Sequence, residues 1–266
     1  VLVSSPAKLS GVRTALAATT GNGFGWFGGG GGPLSTIDKL NFSAETVAVS
    51  PAKLSIPRTR VGNSAITGNS FGWFGGGFNG SSSNFSTIDR LNFTAETLIS
   101  SPAKLSLARG YLAAISGNSF GWFGGGFPDA GVRISTIDKL NLIAETLAVS
   151  PAKLSTVANA MLAATSGAGF GWFGGGTTAA VTSTIDRLNF SAETISVSPA
   201  KLSIPRGYFT STSGSGYGWF GGGFNPGTGA AISTIDRIYF TTETAAASPA
   251  TLSVGRNLPA ATGSVT

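Results

Sequence analysis

A hexapeptide, Gly-Trp-Phe-Gly-Gly-Gly, returns five times along this chain, at Trp26, Trp73, Trp122, Trp172 and Trp219. Each copy is followed by Ser-Thr-Ile-Asp, which places aspartates at Asp38, Asp89, Asp138, Asp186 and Asp236. Seven residues further on stands a glutamate: Glu45, Glu96, Glu145, Glu193 and Glu243. Successive aspartates are 51, 49, 48 and 50 residues apart. A period near fifty, with several short apolar segments per unit, belongs to radial or stacked β architectures, because one such unit cannot bury its apolar face alone. The repeat predicts a single repeat domain over 1–266.

The unit 101–150 shows how one repeat is built. The proline of Ser-Pro-Ala-Lys-Leu-Ser marks a connector rather than an interior strand. Residues 110–116 form a short apolar run of strand length, and Gly117-Asn118 signals a turn. Phe120-Gly-Trp-Phe-Gly-Gly-Gly is a second strand, 134–142 a third, and 146–149 a fourth, reached through a tight turn near Ile143-Ala144. Four short strands repeated radially make a propeller blade. The expected fold is all-β, a propeller of about five four-stranded blades. Six blades are possible, because six Ser-Pro-Ala connectors (Pro6, Pro51, Pro102, Pro151, Pro199, Pro249) accompany five tryptophan units. Val1–Val3 reads as a fourth-strand fragment and Leu258–Val265 as a first-strand copy, so a terminal segment is expected to pair across the seam. The chain opens at Val1 rather than methionine, which reads as a processed or partial product.

The glycines fit strands that converge on an axis, where side chains would collide. The tryptophans fit between sheets, each burying a ring worth about 2–3 kcal/mol. A phosphate cradle would need a following helix and a Lys-Ser/Thr, and neither is present. Ten of the eleven acids are the five repeat aspartates and five repeat glutamates; only Asp129 stands outside. Asp138 alternates onto one face with Leu140 and Leu142, and a carboxylate on an apolar face needs a cation. The expected partners are the connector arginines Arg13, Arg58, Arg109, Arg206 and Arg256; the fourth connector has Ala158 instead. Five equivalent pairs cannot supply the two unlike carboxylates that glycoside hydrolysis needs. The acids therefore read as framework, and no catalytic residue, metal site or cofactor is expected.

Net charge is +6, yet five of the seven lysines share one connector position and no basic run exists. Nucleic acid, which leaves clustered patches, is not an expected partner. No stretch approaches the roughly 18 apolar residues of a membrane helix, so no membrane insertion is expected. Cysteine and histidine are both absent, so packing alone must hold the fold.

The order of an arginine after a connector, an apolar strand, a Gly-Gly-Gly strand end and an aspartate in the third strand resembles kelch repeats. Gly-Trp-Phe-Gly-Gly-Gly, Ser-Thr-Ile-Asp-Arg-Leu-Asn-Phe and Ser-Pro-Ala-Lys-Leu-Ser look like kelch-like arrays in structural and tail-fibre proteins of cyanobacterial viruses. The resemblance covers essentially all of 1–266 and implies a β-propeller in a virion or extracellular setting. Two departures stand out. Kelch proteins often put tryptophan at the end of the fourth strand, and here it lies in the second. A kelch oxidase would need copper ligands such as histidine.

Function on a repeat scaffold sits where the repeat breaks. The loops between the glycine triplet and Ser-Thr-Ile-Asp are Gly31–Leu34, Phe78–Phe85, Phe127–Ile134, Thr177–Thr182 and Phe224–Ile232, of four, eight, eight, six and nine residues. They join equivalent strands and should emerge on one face. The candidate binding residues are Phe78, Asn79, Asn84, Phe127, Asp129, Arg133, Phe224 and Asn225. The reading is a non-enzymatic virion structural or recognition module. Its expected partners are a host-surface glycan, other virion or surface proteins, and further copies of itself. The alternative is a non-viral lectin or a glycan-active enzyme.

Overall fold

The computed structural model describes residues 5–61, 64–155, 160–178, 180–257 and 259–261. Every regular element among them is a β-strand. Five antiparallel four-stranded sheets follow one another along the chain and form a five-bladed β-propeller, each sheet in simple chain order. The innermost strands are Ala17–Gly21, Ala65–Thr67, Ala113–Ser116, Ala163–Gly167 and Thr210–Ser213. All five line one axial cavity of about 600 Å³. The Gly-Trp-Phe-Gly segments are the second strands, Phe120–Gly124 being that of blade 3. Ser-Thr-Ile-Asp opens the third, as in Thr136–Asn141.

The outer strands correct one expectation. They run through Ser-Pro-Ala-Lys, as in Thr97–Lys104 and Thr146–Lys153, instead of ending before it. Proline survives in a strand only at an edge or a bulge, and here it has both. The pairing slips between Thr136↔Lys153 and Asp138↔Val149, opposite Ser150-Pro151-Ala152. In blades 1 to 4 the four-residue turns that feed these strands are held by asparagine, where blade 5 has Tyr239: in blade 3, Asn141 Oδ1 accepts the N–H groups of Ile143 and Ala144, both at 2.9 Å. Val1–Val3 and most of Leu258–Val265 lie outside the described residues, as does Ala158. Pro259–Ala261 is described but adds no strand across the seam.

Four core clusters lie between consecutive blades. Between blades 1 and 2, Trp26, Leu54 and Ile37 meet Val61, Phe74 and Phe93. Trp26 stacks on Phe93, Trp122 on Phe190 and Trp172 on Phe240, so each ring is a bridge to the next blade.

Four of the five repeat aspartates are buried in ion pairs with connector arginines, as their alternation predicts. Arg13 pairs with Asp38, Arg58 with Asp89 at 2.6 Å, Arg109 with Asp138 at 3.0 Å and Arg206 with Asp236 at 2.8 Å. Burial lowers the pKa values of Arg58, Arg109 and Arg206, against the attraction of their carboxylates. Arg256 departs from the expectation: its side chain is exposed and makes no ion pair among the described residues. Asp186 is seated instead by Ser155, whose N–H and hydroxyl donate at 2.9 and 2.5 Å. Burial raises its pKa despite those bonds.

The glycine triplets also have a different cause from the expected axial crowding. A Cβ on Gly76 would lie 2.5 Å from the Arg109 carbonyl, and one on Gly77 would lie 3.0 Å from Arg58 Cδ. The connector arginines pass there, and both glycines take positive φ, 69° and 113°. Arg58 joins two blades: its carbonyl accepts from Gly30 N–H of blade 1 while its guanidinium reaches Asp89 of blade 2.

Candidate functional site

Four of the loops meet the segments that lead into the inner strands at equivalent points. Phe78 bridges Thr59, Phe127 pairs with Gly110, Thr177 bridges Ala160 and Phe224 bridges Gly207. They therefore open on one face, at the end of the barrel axis where the inner strands begin.

One residue further along sits a collar: Ala15, Arg60, Tyr111, Met161 and Tyr208, all with φ between 53° and 61°. A left-handed residue is disfavoured for a bulky side chain, and it persists where surroundings enforce it. Here inter-blade bonds do so: Tyr111 N–H donates to the Arg60 carbonyl, Met161 to Tyr111 and Tyr208 to Met161, at 2.8–2.9 Å. The result aims these side chains at the axis. Tyr111 and Tyr208, from blades 3 and 5, meet edge to face at 6.0 Å across the intervening Met161. The Arg60 guanidinium lies 3.9 Å from the Phe78 ring and 5.2 Å from Tyr111. Phe224 meets Tyr208 at 6.4 Å, and Arg133 lies 5.7 Å from Phe127. Burial raises the Tyr208 pKa, aided by Tyr111 and opposed by Arg133 and Arg60.

Three charged residues of this chain lie outside the repeat positions: Arg60, Asp129 and Arg133. The fold gathers all three on this face. Asp129 is the acceptor of a loop-to-loop bond, taking the Asn84 N–H at 2.8 Å and its side-chain amide at 2.6 Å. Arg60 and Arg133 are left over aromatic rings, half-buried, with no carboxylate partner among the described residues.

The eight loop candidates thus divide. Phe78, Phe127, Phe224 and Arg133 belong to the aromatic and cationic cluster. Asn84 and Asp129 tie two loops together. Asn79 and Asn225 shape their own turns, Asn79 Oδ1 accepting N–H groups of Ser81, Ser82 and Ser83, and Asn225 Oδ1 that of Gly227. Reasoning from loops alone misses Arg60, Tyr111 and Tyr208. Their signal is a single column of the repeat, holding Ala, Arg, Tyr, Met and Tyr, each preceded by a small residue and followed by Leu, Val or Phe.

The opposite end of the axis is chemically different. The axial cavity is lined by Thr19, Thr67, Ser116, Ser166 and Ser213 with small apolar groups and no charged residue. These hydroxyls bond mostly across blades, Thr19 to Thr67 and Thr165 to Ser213, both at 2.8 Å. No group of three or more metal-ligating side chains occurs among the described residues, and no helix is long and apolar enough to cross a membrane. Compared with known proteins, the chain matches no family model and no characterised sequence.

Proposed function

We propose that this propeller is a non-enzymatic recognition module whose loop face binds a surface glycan, serving in a virion fibre or adhesin of the kind its repeat motifs resemble. The observation that carries the reading is the convergence of every repeat-breaking charge and five aromatic rings on one face. Flat apolar rings beside guanidinium donors suit ligands that present an apolar ring face together with hydroxyls or carboxylates. Arg60 is already held against Phe78, so little ordering entropy is lost on binding. Several copies displayed together would strengthen weak single-site contacts.

The carboxylates support binding over hydrolysis. The five repeat aspartates are buried in ion pairs or held by serine, Asp129 is bonded to Asn84, and four glutamates reach cations of the preceding blade. The test is a glycan array probed with the native chain, with Arg60→Ala, and with the Phe78–Phe85 and Phe224–Ile232 loops cut to four residues. Both changes should lower binding at least tenfold while the melting temperature holds. Equal binding by all three proteins would end the reading.

A further inference from the structure

The cations of this chain divide by what surrounds them. Four connector arginines are buried against aspartates, and four cations of the third strands reach glutamates of the next blade. Arg60 and Arg133 differ: both are half-buried on the loop face, and neither meets a carboxylate among the described residues. The one acid of these loops, Asp129, is already engaged by the Asn84 N–H and side-chain amide. Taking a cation partly out of water without an anion is unfavourable. The loop face is therefore built to receive an anion from outside.

The neighbours of the two arginines narrow where that anion sits. The Arg60 guanidinium lies 3.9 Å from the Phe78 ring and 5.2 Å from Tyr111, and the Tyr111 N–H holds its carbonyl. Arg133 enters from the blade 3 loop, 5.7 Å from Phe127, and its buried Nε has no hydrogen-bond partner. Burial and Tyr111 raise the Tyr208 pKa while Arg133 and Arg60 lower it, so both guanidiniums lie within electrostatic reach of one hydroxyl. The Tyr111 and Tyr208 hydroxyls bond to no described residue. Blade 1 leaves room beside this group. It contributes Ala15 to the collar and a four-residue loop without a ring, and its Ala15 carbonyl accepts the Val61 N–H next to Arg60.

We propose that the loop face selects an acidic sugar, its carboxylate or sulfate ester held between Arg60 and Arg133 and its ring laid on Tyr111 and Tyr208. The rest of the glycan leaves over blade 1. The inference rests on the glycan reading above and adds the class of sugar. A guanidinium fork matches the paired oxygens of a carboxylate or sulfate, which a neutral hexose does not offer. The two phenols supply hydroxyls that donate to or accept from the sugar's own.

The experiment titrates the native chain with methyl galacturonoside, methyl glucuronoside, their neutral methyl esters, methyl galactoside 6-sulfate and acetate. Binding is followed by NMR on the Nε–H resonances of Arg60 and Arg133. An acidic sugar should shift both resonances saturably and bind about tenfold or more tighter than the neutral esters, by a margin that shrinks in high salt. The carboxylate and sulfate arms tell the two kinds of acid apart, and tight binding by either supports the proposal. Arg60→Gln and Arg133→Gln should each cut the preference for acid to about twofold, read on the remaining arginine, at an unchanged melting temperature. Esters that bind as tightly as the acids overturn the proposal. Acetate that matches the acidic sugars does so too, because the ring then adds nothing, as do acidic sugars that leave both resonances unmoved. The array judges the glycan reading separately: neutral glycans bound there without preference for acid would sink this inference and leave that reading standing.

Discussion

Asp89 in blade 2 and Asp186 in blade 4 occupy the same point of the repeat, and the difference between them separates two jobs that look like one. Both carboxylates accept the N–H and hydroxyl of a connector serine, Ser55 at 2.9 and 2.6 Å and Ser155 at 2.9 and 2.5 Å. Asp89 has Arg58 as well, and Asp186 has no arginine among the described residues. Two serine donors therefore suffice to seat the acid. The arginine adds the tie between blades, because its guanidinium holds one blade while its carbonyl holds the previous one.

Three experiments test that division. Arg58→Ala should have the largest effect, about 3–5 kcal/mol by urea denaturation, since it strands a buried carboxylate and cuts the tie to Gly30. A loss below about 1 kcal/mol would mean that serine alone carries blade 2, as it carries blade 4. A smaller effect, about 0.2–1 kcal/mol and weaker in high salt, is expected from a double-mutant cycle on Lys39 and Glu96, whose side chains are 19% and 25% exposed. Asp186→Asn should be smallest, within about 1 kcal/mol at neutral pH and on the stabilising side, because it removes a buried charge that has no cation.

The pH dependence at Asp186 has a definite sign. Its folded-state pKa is raised by burial, so the unfolded chain releases the proton first. Stability is fully present below the unfolded carboxylate value and is lost as pH rises through the raised folded value. The gain from Asp186→Asn should therefore be seen at neutral pH and vanish in acid. A gain that grows on acidification would reverse the assignment.

Much of this architecture was legible in the sequence because the repeat writes each position five times. The buried aspartates, the intersheet tryptophans and the four-strand unit all follow from alternation and turn residues. The partner of each repeat glutamate was not legible, because pairing Lys39 with Glu96 depends on how one blade is set against the next, and no local pattern encodes that. The edge role of Ser-Pro-Ala-Lys was hidden for a related reason: proline excludes an interior strand, but only the sheet order shows which strand is outermost. Among the site residues, Asn79 and Asn225 look like ligand donors in a sequence and are spent on their own turns. Tyr111 and Tyr208 sit 97 residues apart and meet only because the ring brings blades 3 and 5 to one axis.

The proline in each outer strand has a consequence for crowding. A propeller exposes one strand edge per blade, and an exposed edge is a template on which another chain can zip up. Here Val49, Ile99, Val149 and Val197 also stand about half-exposed on those strands, which adds apolar attraction to the hazard. Two residues beyond each valine, and three beyond Ile99, the proline removes a donor from the row and the bulge breaks its spacing, and two residues after the proline comes an exposed lysine in blades 1 to 4, Lys53, Lys104, Lys153 and Lys201. The recurrent lysines thus act as edge guards, which accounts for much of the positive charge without invoking an anionic ligand. A molecule protected in this way can be packed at high density without its outer strands fusing into a continuous sheet.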